Sequence, residues 1–513
     1  MRSAPRAVIV VGALWAALPI VIGAGGSMTP DVASIQIQLG NSLFGEARYR
    51  AAYEAYQRAV QCDEPRLKRS ARIGIVRSSL RMAEFRVAAE TATMMKAAAP
   101  RDVEILGLYG DSRWSMGLFD DAEATYRDVL SLDPGNARGH LGLARSLASR
   151  SQLQDALAEA QAAVVTAPGD PEIHQALGFI YERLRRYEEA AASLTDCLNL
   201  LPNKDRSEQA DWARSEVKLL RSFRSREPYA MDPDERLKRH TIPFRLERDK
   251  VIVEARVNGN RQPTDFVLDT GAESTVVSRR TSQRLSIPPV VQLVSAGVGQ
   301  IGVRAVQVGV LDSLEIGSFK VRNLPVLIKN PPLIDLPTRE TDGFSPLAMG
   351  LSMSVDYSRR LLTIGPDGGQ DPVDVELPLR LHRLATVRGL VDRTHAVNFV
   401  VDTGGEVISI SAATAGALTK IRDTRRIALK VYGTSGWDPQ AYLLPGVDLM
   451  FDAIKLENTP VVVLNLRAPS ALLGYQLGGI VGHNFLSKYR FEIDLERSVL
   501  RLRRLQAAGD QKS

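Results

Sequence analysis

Twice in this chain a short apolar run of β-branched and aromatic residues ends in Asp-Thr-Gly. Residues 266–274 read FVLDTGAES and residues 399–409 read FVVDTGGEVIS. The apolar run before each triplet suits a buried strand that ends where a carboxylate emerges. Glycine allows close backbone approach at that point, and the threonine hydroxyl can brace the loop. A pair of such carboxylates has a chemistry that one lacks. Held together they cannot both ionise easily, so the pair keeps one proton, and a water between them meets a base and an acid at once. A chain that delivers two such loops in matching strand contexts is therefore expected to bring them face to face.

On these residues the sequence resembles the retropepsin-like and pepsin-like aspartic proteases. Their pattern of two hydrophobic residues, Asp-Thr-Gly and a small residue is matched by VLDTGA at 267–272 and VVDTGG at 400–405. The first copy, in which Ala272 precedes an acidic Glu273, is closer to the retroviral type. The resemblance implies Asp269 and Asp402 as the catalytic pair, with Thr270, Gly271, Thr403 and Gly404 supporting their loops. It also implies a later apolar-apolar-glycine segment beneath each loop. The second lobe supplies Ile480-Val481-Gly482, whereas the first places Ser345-Pro346 where Val-Gly is expected. The loop of Asp269 is thus expected to lack the matching support. Each lobe is shorter than a pepsin lobe and looks like one retropepsin-type subunit, so the pair would form within one chain.

The rest of the chain divides into segments of different texture. At 513 residues it is too long for one core, and 44% hydrophobic with 24% charged residues reads as globular. A net charge of +6 without a concentrated basic tract argues against a nucleic-acid footprint. Cys62 and Cys197 are too few for a disulfide framework and read as small core residues. Arg2 and Arg6 precede an uncharged run over residues 7–26 that has the layout of a secretory signal, or of an uncleaved membrane anchor. Both readings place the bulk of the chain outside the cytoplasm, in a periplasmic or extracellular setting.

After that segment comes internal repetition. Pro100, Pro134, Pro168 and Pro202 fall at equal intervals of 34 residues, the period of the tetratricopeptide repeat. The copy at 171–202 has Leu177-Gly178, Tyr181 and Ala190 at the expected knob and hole positions; earlier copies show Leu143-Ala144 with Ala156, and Tyr109-Gly110 with Ala122 and Tyr126. A looser copy has Ala88, and the first has Leu39-Gly40, Ala52 and Tyr56 and closes near Pro65. Five stacked helix pairs would form a superhelical array that presents a concave surface to a protein or peptide partner. Residues 205–221 alternate at helical spacing and suit a cap for its open end, and the charged, aperiodic stretch that follows reads as a linker.

From Thr241 the texture becomes β-rich, with strands expected at 244–246, 251–257 and 266–268 and a turn at Asn258-Gly259. The run Gly297-Val298-Gly299-Gln300-Ile301-Gly302 spells a dinucleotide fingerprint, but alternating strand-like residues follow it where a helix would be needed. A glycine-rich flap hairpin over the substrate fits better. In the second lobe its counterpart lies at 431–445, where Tyr432 and Trp437 are candidates for lining a subsite or for packing. The scattered histidines form no zinc helix and no nucleophile elbow occurs, so neither metal nor cofactor is expected.

The fold class expected is therefore multidomain: an all-α tetratricopeptide solenoid followed by a mainly β, two-lobed aspartic-protease-like unit. The segments are 1–27 (signal peptide or anchor), 33–222 (solenoid and cap), 223–240 (linker), 241–364 (first lobe), 365–372 (connector), 373–505 (second lobe) and 506–513 (disordered tail). The expected function is peptide-bond hydrolysis by an exported endopeptidase whose solenoid recruits its protein partner. Two alternatives differ in kind: a peptide-binding protein that kept the cleft without turnover, favoured by Ser345-Pro346, and a solenoid scaffold for assembly.

Overall fold

The computed structural model describes residues 28–202, 207–299, 302–329, 342–366, 372–418, 426–433 and 435–505. The expected leader at 1–27, the tail at 506–513, residues 367–371 of the connector, and Gln300 and Ile301 of the flap lie outside the described residues. The N-terminal half is built from helical hairpins: α1 (Pro30–Gly45) with α2 (Tyr49–Ala59), α3 (Pro65–Arg81) with α4 (Phe85–Ala98), α5 (Val103–Ser115) with α6 (Phe119–Leu132), α7 (Ala137–Ser149) with α8 (Leu153–Thr166), and α9 (Pro171–Arg183) with α10 (Tyr187–Leu200). The periodic prolines each sit two residues past a helix end, after α4, α6, α8 and α10, where a residue that cannot continue a helix belongs. Asp102, Asn136 and Asp170 then cap the next helix by accepting from Ile105, Gly139 and Glu172 amides. Pro65, expected to close the first repeat, instead opens α3, because its missing N–H costs nothing in the first turn.

Close helix crossing explains the glycines of the repeats. The Tyr56 ring lies between Gly40 and Gly74, and a Cβ on either would come within 2.5 Å of it. Tyr126 repeats the arrangement between Gly110 and Gly142, where added Cβ atoms would stand 2.7 and 2.2 Å from the ring. The Tyr126 hydroxyl also donates to Asp111 at 2.8 Å, and Asp111 accepts from Arg138 and, at 2.7 Å, from Arg145. Cys62 and Cys197 are buried apart, at the two ends of the stack.

Helix α11 (Glu208–Ser222) follows, and its placement differs from a simple cap. Besides packing on α10 it lies along the strand Pro289–Ala296, and Leu219 and Phe223 share a small core with Val291, Leu293 and Val308. The helix that follows the last repeat is thus itself covered by the first lobe. The linker is docked too: Ala230 bridges to Arg322, and Pro233–Leu237 forms a helical turn. Sequence periodicity could not show this, because the contacts are made with residues far along the chain.

The β region consists of two barrel-like lobes sharing one sheet. In the first lobe the order is Arg245–Glu247, Lys250–Val257, Thr264–Leu268, Asp342–Phe344, Val276–Val277, Phe319–Ile328, Val303–Ile316, Pro289–Ala296, and Lys250–Val257 also pairs with Val303–Ile316 to close it. The second lobe repeats the plan, with Leu384–Val391 closing on Tyr442–Phe451. Between them runs a shared sheet whose central strands, Met353–Asp356 and Tyr489–Asp494, pair antiparallel as Met353↔Ile493 and Val355↔Phe491. Each central strand comes from the end of a different lobe, so the halves are related by an approximate two-fold axis. The expected turn at Asn258-Gly259 holds left-handed backbone at both residues, and an unexpected tight turn at Arg248-Asp249 joins the first two strands of the lobe.

Solenoid and lobes form one body. Glu123 on α6, 2% exposed, is held by Arg127, Arg150 and Arg380, the last from the second lobe at 2.8 Å. The Gln476 amide donates to Ser115 carbonyl at 2.7 Å, and the Phe119 and Tyr475 rings meet edge to face at 5.1 Å. Tyr126→Ala is expected to lower stability by about 3–5 kcal/mol. Tyr126→Phe, which strips Asp111 of one donor and Arg145 of a 3.4 Å acceptor, is expected to cost about 1–2 kcal/mol. Urea unfolding of both variants checks the wedge, and equal losses would show that the ring does not fill the repeat.

Candidate active site

Each aspartate is positioned by a strand and by the strand beside it. Thr264–Leu268 delivers Asp269 and pairs parallel with Asp342–Phe344, so the Asp269 amide donates to Phe344 carbonyl at 2.9 Å. His395–Val401 delivers Asp402 in the same way, and its amide donates to Val481 carbonyl at 3.1 Å. Asp269 and Asp402 both end up half-buried on the floor of one cleft.

The two threonines lock the loops together reciprocally. Thr270 Oγ1 donates to Val401 carbonyl at 2.7 Å and accepts from the Thr403 amide at 3.0 Å. Thr403 Oγ1 donates to Leu268 carbonyl at 2.6 Å and accepts from the Thr270 amide at 3.1 Å. Both side chains are buried, so all four bonds are made away from water. The glycines then set the spacing of the carboxylates. A Cβ on Gly271 would stand 2.4 Å from the Asp402 carboxyl carbon, and one on Gly404 would stand 2.7 Å from Asp269 Oδ1. Only glycine lets each carboxylate lie over the opposite loop. Thus Asp269, Thr270, Gly271, Asp402, Thr403 and Gly404 are all brought together.

Strand pairing also corrects the register expected beneath the first loop. Phe344-Ser345 stands where the second lobe has Val481-Gly482, and Pro346 stands opposite His483. In the second lobe the His483 amide donates to Gly405 carbonyl at 2.8 Å. Pro346 has no amide to give, and the Ser345 hydroxyl supplies the bond instead, donating to the equivalent Ala272 carbonyl at 2.9 Å. A Cβ at Gly482 would stand 2.7–2.9 Å from backbone atoms of Gly405 and Val407, whereas the first lobe has room for a serine there. The Asp269 loop is therefore supported, by a side chain in place of the backbone.

Burial is the main force on the protonation of both carboxyls. It raises Asp269, against the lowering pull of Lys329, the Gly271 amide and Lys250. It raises Asp402 together with the charge of Asp269, to about 7, while the Gly404 and Gly405 amides bonded to its Oδ1 at 2.8 and 2.9 Å oppose the shift. Lys250 carries no signal in the sequence. It opens the strand after Arg248-Asp249, and its ammonium donates to Gly404 carbonyl and lies 3.8 Å from Glu406. It thereby ties the first lobe to the active loop of the second and sets a positive charge beside the pair.

The glycine-rich stretch lies beyond the last pair of a hairpin, Ala296 with Val303. Its described part meets the matching hairpin of the second lobe, Val431–Gly433 with Gly436–Asp438. The Gly297 amide donates to Ser435 Oγ at 3.0 Å, and the Ser435 amide donates to Val298 carbonyl at 2.9 Å. The two tips clasp across the cleft, and Gly299 and Gly433 lie so close to the opposite backbone that a Cβ on either would reach 2.3 Å from it. The cleft beneath has a volume of about 1480 Å³ and is lined by the aspartates, the tips, Tyr432 and residues of α9 to α11. Trp437, half-buried and paired with Tyr432 across the same hairpin, does not line the cleft.

Ser345→Gly is expected to cost about 1–2 kcal/mol by orphaning the Ala272 carbonyl. Adding Pro346→Ala to it restores a backbone donor and is expected to recover part of that loss in thermal unfolding. No recovery would mean that the hydroxyl does not replace the amide.

Comparison with known proteins agrees with the two halves. Residues 253–343, the first lobe with Asp269, match the family model for aspartyl proteases, and residues 108–171 and 171–204 match models of the tetratricopeptide repeat. Among solved structures, a thermophilic TPR protein of Thermus thermophilus, TTC0263, is 22% identical, covers 36% of this chain and 98% of its own, and has a TM-score of 0.31. A MamA protein is 15% identical over 39% of this chain and 86% of its own, with a TM-score of 0.22. Overlaps that small carry no argument. Among curated proteins none matches this chain. The repeat models, the glycine-tyrosine wedges and the paired loops together identify a chain in which tetratricopeptide repeats precede an aspartyl-protease-like domain.

Proposed function

We propose that this protein is an exported aspartic endopeptidase whose solenoid recruits its protein or peptide substrate. The observation that carries this reading is the reciprocal threonine lock, which holds two carboxylates over each other's glycine on the floor of one covered cleft. Export rests on the charged, then apolar, N-terminal sequence.

In the reaction proposed, Asp269 and Asp402 hold one proton between them. The unprotonated carboxylate takes a proton from water as the oxygen attacks the peptide carbonyl carbon, and the protonated one gives its proton to the carbonyl oxygen. The tetrahedral species then breaks its C–N bond as the carboxyl that took water's proton passes it to the leaving nitrogen, and the other carboxylate takes the proton of one hydroxyl, so the pair again holds one proton. An extended peptide pairs with the strand edges of the cleft, beneath the clasped tips. Those tips exclude water, and they must part for a folded or long substrate to enter.

The reading as a binding protein without turnover drew its support from Ser345-Pro346. The hydroxyl bond to Ala272 removes that support, so hydrolysis is the better account.

The test is cleavage of a peptide library by the full chain beside Asp269→Asn and Asp402→Asn. Cuts are expected to vanish in both variants, and folded wild-type protein that cuts nothing at any pH would sink the reading. Activity is expected to fall as pH rises through about 7, where Asp402 loses its proton. Lys250→Met removes a charge that lowers both carboxyls, so that limb is expected to move to higher pH; an unmoved limb would leave Lys250 a purely structural tie.

Stability follows with a definite sign. A carboxyl raised by folding stabilises below the ordinary value of 3.8, and the contribution is lost as pH rises through the folded value near 7. Asp402→Asn keeps an acceptor for Gly404 and Gly405 without the charge. Its melting temperature is expected to exceed that of wild type at about pH 8 and to match it at about pH 4.

A further inference from the structure

One wall of the cleft plays no part in the proposed chemistry. Glu182 on α9 and Glu216 on α11 line the same cavity as Asp269 and Asp402. Glu182 Oε1 is shut off from solvent without a hydrogen-bond partner. Neither carboxylate forms an ion pair among the described residues, although cations are near. Arg383 is committed elsewhere: its Nε donates to Glu273 at 2.6 Å, its Nη1 to Leu472 carbonyl at 2.7 Å, and its guanidinium lies 5.9 Å from the Trp212 ring. Arg183 donates to Ser151 at 2.9 Å and to the carbonyls of Ala148 and Leu381, and Arg185 donates to Tyr229 carbonyl at 2.9 Å.

Burial raises both carboxyls, Glu216 to about 7, and the charge of Glu216 raises Glu182 further while Arg383 lowers both. Two mutually repelling acids have thus been left in a shielded wall with no partner of opposite charge, an arrangement that folding alone does not favour. A cation entering from the cleft would satisfy both. Trp212, Tyr187 and Tyr229 line the cavity beside them, and aromatic faces suit an organic cation with an apolar stem better than a bare metal ion.

We propose that Glu182 and Glu216 form an acidic subsite, contributed to the cleft by the solenoid, that receives a lysine or arginine side chain of the bound peptide. The proposal rests on the peptidase reading for its choice of a peptide. It makes the solenoid part of the specificity of the cleft, as well as a means of recruitment.

The test uses the full chain with Asp402→Asn, which on the peptidase reading is expected to hold peptides without cutting them. The probes are two octapeptide pools that differ at one scanned position, lysine or arginine in one and norleucine in the other, and retained peptides are counted by mass spectrometry. Enrichment of the basic pool by about tenfold or more at one position is expected. Adding Glu182→Gln and Glu216→Gln is expected to bring the ratio close to unity, and Glu216→Gln alone to reduce it, which keeps the test intact should the double change impair folding. No enriched position, or enrichment that survives the glutamines, overturns the subsite. Cleavage by the chain with both aspartates is read separately: if neither pool is cut, the peptidase reading fails while the retention ratio still decides what Glu182 and Glu216 bind.

Discussion

Everything else in the β unit hangs on the reciprocal bonds of Thr270 and Thr403. Two carboxylates facing one another in a shielded cleft repel, and burial opposes the charge on each. Left free, the loops would separate. Each threonine crosses to the opposite strand end and accepts an amide on the way, so the loops can part only by orphaning four buried groups together. The shared sheet behind, centred on Met353–Asp356 and Tyr489–Asp494, holds the two strand sets in the relation that this exchange needs.

Around that lock the structure solves the same local problem in two ways. The second lobe supports its loop with a backbone amide over Gly482; the first uses the Ser345 hydroxyl over a proline. What the geometry requires is a donor to the carbonyl three residues after the aspartate, and the chain meets it with whichever group the local sequence offers. A search for the glycine alone would score the first lobe as defective.

The solenoid is bound into this arrangement. The turn at Gly117, in left-handed backbone, presses on Asn398 in the strand that carries Asp402, and a Cβ there would stand 2.1 Å from the Asn398 amide nitrogen. Arg380 reaches back to Glu123, and α11 braces the strand that runs into the clasped tip. The repeats and the cleft are therefore joined by direct packing. The wall that holds Glu182 and Glu216 exists only because the two halves meet.

Much was legible in the sequence because it is local. Apolar runs ending in Asp-Thr-Gly fix a strand and a turn through their own side chains, and prolines spaced by 34 residues mark helix ends that need no distant partner. Duplication of the triplet was enough to anticipate that Asp269 and Asp402 meet. What the sequence did not disclose all depends on residues far apart along the chain: the register that sets Ser345 against Ala272, the ammonium of Lys250 beside Gly404, the tip of one lobe clasping Ser435 of the other, and the acids of α9 and α11 in the cleft. Periodicity and motif spacing report the faces of single elements, and they carry no information on which faces meet. Residue order alone specified two kinds of repeat and their succession; the packing of distant segments decided how they share one cleft, because burial and charge act on neighbours in space.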